Sequence, residues 1–140
     1  MKLSKTQQKK IKEIAEKNQL DLVLLFGSVV TGKLHPRSDI DIAVRFKDTP
    51  SIDYKKIGDV HFDLQEAFDE AEVDIVVLNF ADPLLLKRIM DDAQLIFGTS
   101  RQYADLKILA FKKYVDHQKY FQMERKFVKR FLAGKRKEVA

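Results

Sequence analysis

Short apolar runs recur along the chain and predict four β-strands, over residues 21–26, 39–46, 73–78 and 94–97. The first run is almost continuously apolar, as is typical of a buried strand. The second run alternates: Ile40, Ile42 and Val44 share one side, and Asp41 and Ala43 share the other. This alternation predicts a strand with one dry face and one functional face.

Stretches with apolar residues three to four positions apart predict helices between and after the strands. The predicted helices cover residues 4–18, 52–69, 84–91 and about 100–132, and a short one follows Gly27-Ser28 and ends at Gly32. Asp82-Pro83 is typical of a helix start, because Asp caps well and Pro suits the first helical position. The alternation of helices and strands predicts an α/β or α+β fold, a small mixed sheet of about four strands covered by helices, with a long C-terminal helix.

Composition narrows the class of protein. A chain of 140 residues with 45% hydrophobic and 34% charged residues is expected to form one soluble globular domain. The absence of cysteine excludes disulfides and thiolate metal sites. No apolar run approaches the roughly 20 residues that span a bilayer, and the N-terminus lacks the apolar stretch of a signal peptide. We therefore expect a cytoplasmic protein with no membrane partner.

The net charge of +5 is concentrated at the C-terminus, where residues 101–140 contain 12 Lys and Arg against 4 Asp and Glu. This basic segment could attract an acidic protein or RNA, or it could be the solvated face of a helix. It also carries more aromatic and aliphatic residues than one narrow helical stripe holds. The surplus either forms an exposed partner surface or folds back into the domain. We expect a core over residues 1–100 and a helical extension over residues 101–140 that packs on the core and contacts a partner.

Two carboxylates mark the start of the second predicted strand. Asp39 and Asp41 point to the same side of a strand, roughly 7 Å apart along it, where they could bind divalent metal together. Oxygen ligands suit Mg²⁺, which binds one or two carboxylates together with substrate phosphates. Asp74 lies in an otherwise apolar strand, where an unpaired carboxylate would be costly, so it is the candidate third member. The alternatives, which helix-surface or turn positions explain more simply, are Asp63, Asp69 and Glu72.

The pair Gly27-Ser28 precedes these carboxylates by about ten residues. Glycine lets the backbone approach a ligand closely, and the helix that follows directs free N–H groups outward, which makes an anion site. Alone, the pair would be an ordinary strand-to-helix turn with Ser28 as its cap. Together with Asp39 and Asp41 it indicates a nucleoside triphosphate site. Ser38, which caps or braces the loop before Asp39, completes the set of nucleotide-binding candidates.

The segments 25–28 and 38–44, with Asp74 on a later strand, resemble the polymerase-β nucleotidyltransferase superfamily. The short chain is most similar to its minimal nucleotidyltransferase (MNT) branch, and the resemblance covers about residues 20–98. Many relatives have Ala-Arg in the turn where this chain has Val30-Thr31, so an arginine contact to phosphate from this turn is not supported.

The resemblance implies a nucleotidyltransferase fold and a division of roles among the candidates. The glycine and serine of the turn would hold the triphosphate of ATP. The three carboxylates would hold two Mg²⁺ ions, and the third of them would accept the proton of the incoming hydroxyl. In this chain these residues are Gly27 and Ser28, then Asp39, Asp41 and Asp74.

Many bacterial MNT proteins of this length are antitoxins encoded beside a HEPN-domain ribonuclease toxin, and they transfer AMP from ATP to a tyrosine hydroxyl of that toxin. The resemblance implies the same reaction and the same partner here, without direct nucleic-acid binding. Two alternatives stay open. One is a non-catalytic antitoxin that neutralises the toxin by covering it. The other is a nucleotidyltransferase acting on RNA or on a small molecule such as an aminoglycoside, although such enzymes usually need a second domain to hold the acceptor.

Overall fold

The computed structural model describes residues 1–32 and 39–139, with side chains described as far as residue 134. Within these residues the strands are β1 (Leu20–Phe26), β2 (Ile40–Phe46), β3 (Val73–Val77) and β4 (Gln94–Phe97). The helices are α1 (Lys5–Lys17), α2 (Ser28–Thr31), α3 (Tyr54–Ala67), α4 (Pro83–Asp92) and α5 (Ser100–Val139). Short 3₁₀ turns cover Thr49–Ser51 and Leu78–Phe80. The predicted order of helices and strands is confirmed.

Capping side chains explain where three of the helices begin. Ser4, Asp53 and Asp82 each accept a hydrogen bond from a backbone N–H three residues further on, at the starts of α1, α3 and α4. Pro83 follows at the first position of α4, where its missing N–H has no partner to lose. These caps fix the ends of the helices that cover the sheet.

The strands form one mixed sheet in the order β3-β2-β1-β4. β1 pairs antiparallel with both β2 and β4, and β2 pairs parallel with β3. Parallel neighbours need a crossover connection, which α3 supplies between β2 and β3. The predicted small mixed sheet covered by helices is therefore confirmed. β3 is an edge strand, which matters for the site described below.

Both faces of the sheet are covered, so the central strand β1 is apolar throughout. Val23 and Leu25 lie in a core with residues of α1 and α3. Leu22 and Leu24 point the other way, into a second core with residues of α4 and α5. All four side chains are essentially inaccessible to solvent. This is why the run 21–26 shows no alternation of polar and apolar residues.

The expectation that β2 has one dry and one functional face holds only at its N-terminal end. Ile40, Ile42 and Val44 are buried on the α1 and α3 side, as predicted. Ala43, on the opposite side, is fully buried beneath α4 and α5. Asp41, on the same side, is half-buried, and Arg45, further along that side, forms an ion pair with Asp21.

α5 is a single helix of 40 residues, about 60 Å long, and the prediction that it ends near Leu132 is wrong. The helix continues through Gly134 to Val139, since one glycine costs only about 1 kcal/mol and its neighbours are good helix formers. It does not fold back on the domain. Long as it is, neither α5 nor any other helix of the described residues is apolar enough to cross a membrane.

Candidate active site

Three carboxylates lie together where β2 and β3 begin. In the parallel pairing of these strands Asp41 stands directly opposite Asp74. Paired residues on neighbouring strands point to the same face, about 4.8 Å apart in the direction of pairing. Val76, two residues after Asp74, contacts the α4 and α5 core, which places Asp74 on the same side as Asp41. Asp39 lies two residues before Asp41, just outside the strand.

Asp74 is exposed, so the expectation of a costly buried carboxylate is wrong. β3 is the edge strand of the sheet, and Asp74 lies near its N-terminal end. The alternative candidate Asp63 is engaged elsewhere. Its carboxylate accepts hydrogen bonds from Lys17 Nζ at 3.3 Å and Asn18 Nδ2 at 3.1 Å. The position of Asp74 thus follows from strand pairing and not from burial.

The negative charges of Asp39 and Asp74 disfavour the charged form of Asp41. Partial burial raises the pKa of the Asp41 carboxyl, and the nearby carboxylates of Asp74 and Asp39 raise it further. None of the described residues donates a hydrogen bond to these three side chains. Among the described residues, no three acidic, histidine or cysteine side chains lie close enough together to bind one metal ion. Within the described residues the cluster therefore has no bonded cation.

Gly27 lies directly beneath the Asp41 carboxylate. The pairing of β1 with β2 aligns Phe26 with Asp41, so the next residue of the chain turns under that side chain. Gly27 has φ +77° and ψ −151°, a conformation that favours glycine. A Cβ added there would collide with Asp41 Oδ2 and lie 3.3 Å from Asp41 Cγ. Glycine is thus required twice at this position, by its backbone angles and by the carboxylate above it.

Ser28 begins α2 and does not cap it, since Gly27 is the capping residue and offers no side-chain bond. The N–H groups of Val30 and Thr31 donate to the Gly27 carbonyl, each at 3.1 Å. The two preceding amides come before the first intrahelical bond, as at any helix start. The turn is half-buried and adjacent to Asp41, and anion binding there stays a prediction. The further candidate Ser38 lies outside the described residues.

A cleft of about 400 Å³ opens between this turn and α4. One wall is formed by Phe26, Gly27 and Asp41. The other wall is formed by residues of α4, namely Leu85, Arg88, Ile89, Asp91 and Asp92. The sequence interpretation missed the α4 wall. The spacing of Leu85, Arg88, Ile89 and Asp92 reveals a common helix face, but nothing in the sequence tells what that face is turned towards.

Comparison with known proteins gives concordant results. The family model described as polymerase beta nucleotidyltransferase matches residues 9–102. The protein adenylyltransferase MntA of Shewanella oneidensis is 33% identical over 110 residues, which are 79% of this chain and 74% of that protein.

Solved structures match over most of their length. A crystal structure of a toxin–antitoxin pair with AMP-PNP has a TM-score of 0.72 and 29% identity, over 86% of this chain and 97% of the matched chain. A structure of a tri-AMPylated HEPN toxin of Shewanella oneidensis in complex with an MNT antitoxin has a TM-score of 0.68 and 26% identity, over 90% and 98%.

Replacement of Gly27 should disturb the carboxylate cluster, whereas the same change at Gly32 should not. Both glycines have nearly the same positive φ, +77° and +78°, so Gly27→Ala and Gly32→Ala share a strain of about 1–2 kcal/mol. Only at Gly27 must Asp41 also move; around Gly32 the described chain leaves open space within 4 Å. We expect Gly27→Ala to lower the free energy of unfolding by about 1–3 kcal/mol more than Gly32→Ala, in urea titrations without metal. Equal losses would contradict the contact.

Removal of the Asp41 charge should stabilise the metal-free protein at neutral pH. The pKa of Asp41 is raised above the ordinary 3.8 in the folded protein. Between the unfolded-state pKa and the folded-state pKa, the folded protein therefore binds more protons than the unfolded protein. The free energy of unfolding consequently falls as the pH rises through this range. Asp41→Asn should therefore melt higher than the wild type at pH 7 in EDTA, and the difference should shrink towards pH 3.8. Asp59→Asn, on the exposed side of α3, is the control and should be close to neutral. A lower melting temperature for Asp41→Asn at pH 7 would contradict the repulsion.

Proposed function

Because the chain belongs to the polymerase beta nucleotidyltransferase family, we propose that it transfers AMP from ATP to a tyrosine hydroxyl of a HEPN-domain toxin and so acts as the antitoxin. The observation that carries this proposal is the pairing of Asp41 with Asp74 directly above the Gly27 turn. It joins a phosphate-binding turn to an acidic cluster in one place. The names of the relatives, a protein adenylyltransferase and an MNT antitoxin bound to an AMPylated HEPN toxin, support the choice of donor and acceptor.

The residues present fit a site for Mg²⁺. The three carboxylates lie near one another, and none has a described cationic partner in hydrogen-bond contact. Partial burial and the two neighbouring carboxylates raise the pKa of Asp41. Asp39, Asp41 and Asp74 would hold the metal, two ions in this proposal, together with phosphate oxygens of ATP. The bound metal would neutralise charge on the phosphates during transfer. Since the three side chains do not form a closed metal site as they stand, substrate phosphates would have to complete it.

The protein groups then have separate roles. The Gly27 turn and the first amides of α2 hold the triphosphate. The tyrosine oxygen attacks the α-phosphorus, the bond to the bridging oxygen breaks, and pyrophosphate leaves. The tyrosine proton passes to Asp74, which suits this role because it is exposed on an edge strand, where a side chain of another protein can reach it. We place the reaction in the cytoplasm, where ATP is available and where a chain without cysteine needs no oxidising environment.

The outer half of α5 is the surface that we propose for toxin binding. Leu106, Ala110, Phe121, Val128 and Leu132 lie on one face of the helix, spaced by multiples of about 3.6 residues. Near the start of α5 this face is buried against the domain, at Phe121 it is half-buried, and at Val128 and Leu132 it is 46% and 54% exposed. The same apolar face therefore continues past the body of the protein that covers its beginning.

Exposed neighbours widen this face into a surface, which we name the outer α5 surface. It comprises Tyr120, Met123, Phe127, Val128 and Leu132, with exposed fractions from 46% to 71%. Side chains of this size together expose an area on the order of a few hundred Å², as large as the largest apolar patch of a typical monomer. Lys and Arg occupy the opposite side of this part of the helix, so the toxin should present an apolar groove with an acidic rim.

Replacement of Asp39 and Asp41 together should abolish AMP transfer and leave the toxin complex intact. The variant Asp39→Asn/Asp41→Asn keeps side-chain size and removes the negative charge, and we expect AMP transfer to the toxin to fall at least about a hundredfold. The measurement is incubation with labelled ATP, Mg²⁺ and the toxin, followed by mass spectrometry of both proteins.

A growth assay with the same variant separates the candidate functions. Loss of protection against the toxin supports catalysis, whereas full protection would favour neutralisation by covering. Asp59→Asn is the control that removes a carboxylate outside the cluster. Wild-type labelling of RNA or an aminoglycoside, with none of the toxin, would contradict the proposed acceptor.

Truncation of Phe127 should weaken toxin binding. Phe127 is 69% exposed in the outer α5 surface, and Phe111 is 62% exposed on the inner half of the same helix, outside that surface. We expect Phe127→Ala to raise the Kd for the toxin about 10- to 100-fold and Phe111→Ala to change it little, measured by calorimetry with the Asp39→Asn/Asp41→Asn background. Alanine preserves helix propensity, which circular dichroism verifies. Equal effects of the two substitutions would contradict the assignment of the outer α5 surface.

A further inference from the structure

Arg88 carries a positive charge with no role in the site as described above. It projects from α4 into the cleft that Gly27 and Asp41 bound on the other side. Among the described residues that line this cleft it is the one cation. Leu85, one helical turn before Arg88, and Ile89, the residue after it, add apolar side chains to the α4 wall.

The Arg88 guanidinium forms no ion pair with another described residue. Within the described residues, no carboxylate lies within 4 Å of Arg88. The neighbouring Lys87 has the opposite arrangement: its Nζ pairs with Asp91 Oδ2 at 2.8 Å and lies 4.8 Å from the centre of the Tyr114 ring. The two adjacent cations therefore have different surroundings: Lys87 is bonded within the protein, whereas Arg88 is exposed towards the cleft.

A positive side chain in this cleft would favour the entry of a triphosphate. Asp92 lines the cleft with no described cation within 4 Å and would repel phosphate, whereas Asp91 pairs with Lys87 and Asp41 would be neutralised by the bound metal. The turn that follows Gly27 has no basic side chain, since α2 consists of Ser28, Val29, Val30 and Thr31. Arginine offers a planar fork of N–H donors that matches two phosphate oxygens at once.

We propose that Arg88 binds the triphosphate of ATP from the α4 side of the cleft, opposite the Gly27 turn. This inference rests on the proposed nucleotidyl transfer and adds to it a second wall of the donor site. The guanidinium would donate hydrogen bonds to phosphate oxygens and would hold them against the turn, which keeps the α-phosphorus next to the carboxylates. Arg88 is then a binding residue for the donor and has no part in recognising the toxin.

The test measures nucleotide binding by the antitoxin alone. Calorimetry with Mg²⁺-ATP and with inorganic tripolyphosphate should give a Kd about 10- to 100-fold higher for Arg88→Gln than for the wild type, the factor typical of hydrogen bonds to a charged group. Arg88→Lys should recover part of the loss, because it restores the charge without the fork. Arg101→Gln is the matched control, with the same substitution at an exposed position of α5 that does not line the cleft, and should bind both ligands as the wild type does.

Three results would overturn the proposal. They are unchanged affinity of Arg88→Gln for both ligands, an equal loss in Arg101→Gln, and a loss for ATP without a loss for tripolyphosphate, which would assign Arg88 to the nucleoside. In transfer assays with the toxin we expect Arg88→Gln to raise the KM for ATP more than it lowers kcat. If the wild type binds ATP but does not modify the toxin, the proposed acceptor fails while the phosphate contact stands.

Discussion

The contact between the Asp41 carboxylate and the Gly27 backbone is the constraint on which the whole site depends. It exists because β1 and β2 pair in the register that puts Phe26 opposite Asp41, so the turn after β1 passes under the side chain at the start of β2. The pairing of these two strands at the centre of the sheet thereby holds the Gly27 turn next to the acidic cluster. Neither can shift without disturbing strands whose side chains fill both cores. The arrangement also has an energetic cost, because burial and the neighbouring carboxylates raise the pKa of Asp41 while no cation of the described residues is bonded to the cluster.

Much of this site could be predicted from the sequence because its parts depend on local patterns. The Gly27 turn follows from an apolar run that stops at glycine, and the shared face of Asp39 and Asp41 follows from strand periodicity. The neighbouring position of Asp74 depends on which strands pair, and the sequence only suggested it. The expected burial cost does not apply to Asp74, because this carboxylate is exposed on an edge strand. Strand order is set by long-range packing, which no local window contains.

The contribution of α4 and the length of α5 could not be predicted for a related reason. A helical period identifies the face of a helix but not the surface that it meets, so the stripe that contains Arg88 was indistinguishable from an ordinary core-facing or solvent-facing stripe. In α5 the periodic apolar face is as regular where it is buried, at Leu106 and Ala110, as where it is exposed, at Val128 and Leu132. Only the dimensions of the folded domain decide where the covered part ends. The boundary at Leu132 was placed by the glycine two residues later, whose cost is small compared with the propensity of the charged residues around it.

The position of α4 connects the two halves of the proposed reaction. α4 lines the nucleotide cleft with one face and packs against α5 with its buried residues, among them Leu86, Ile89 and Met90. α4 thus connects the cleft to the inner half of α5, and the outer α5 surface lies further along the same helix. In the proposed reaction, the partner's own fold and this extension would orient the acceptor. A small nucleotidyltransferase can act on a large substrate in this way: the sheet fixes the donor, and a helix that extends past the domain fixes the protein to be modified.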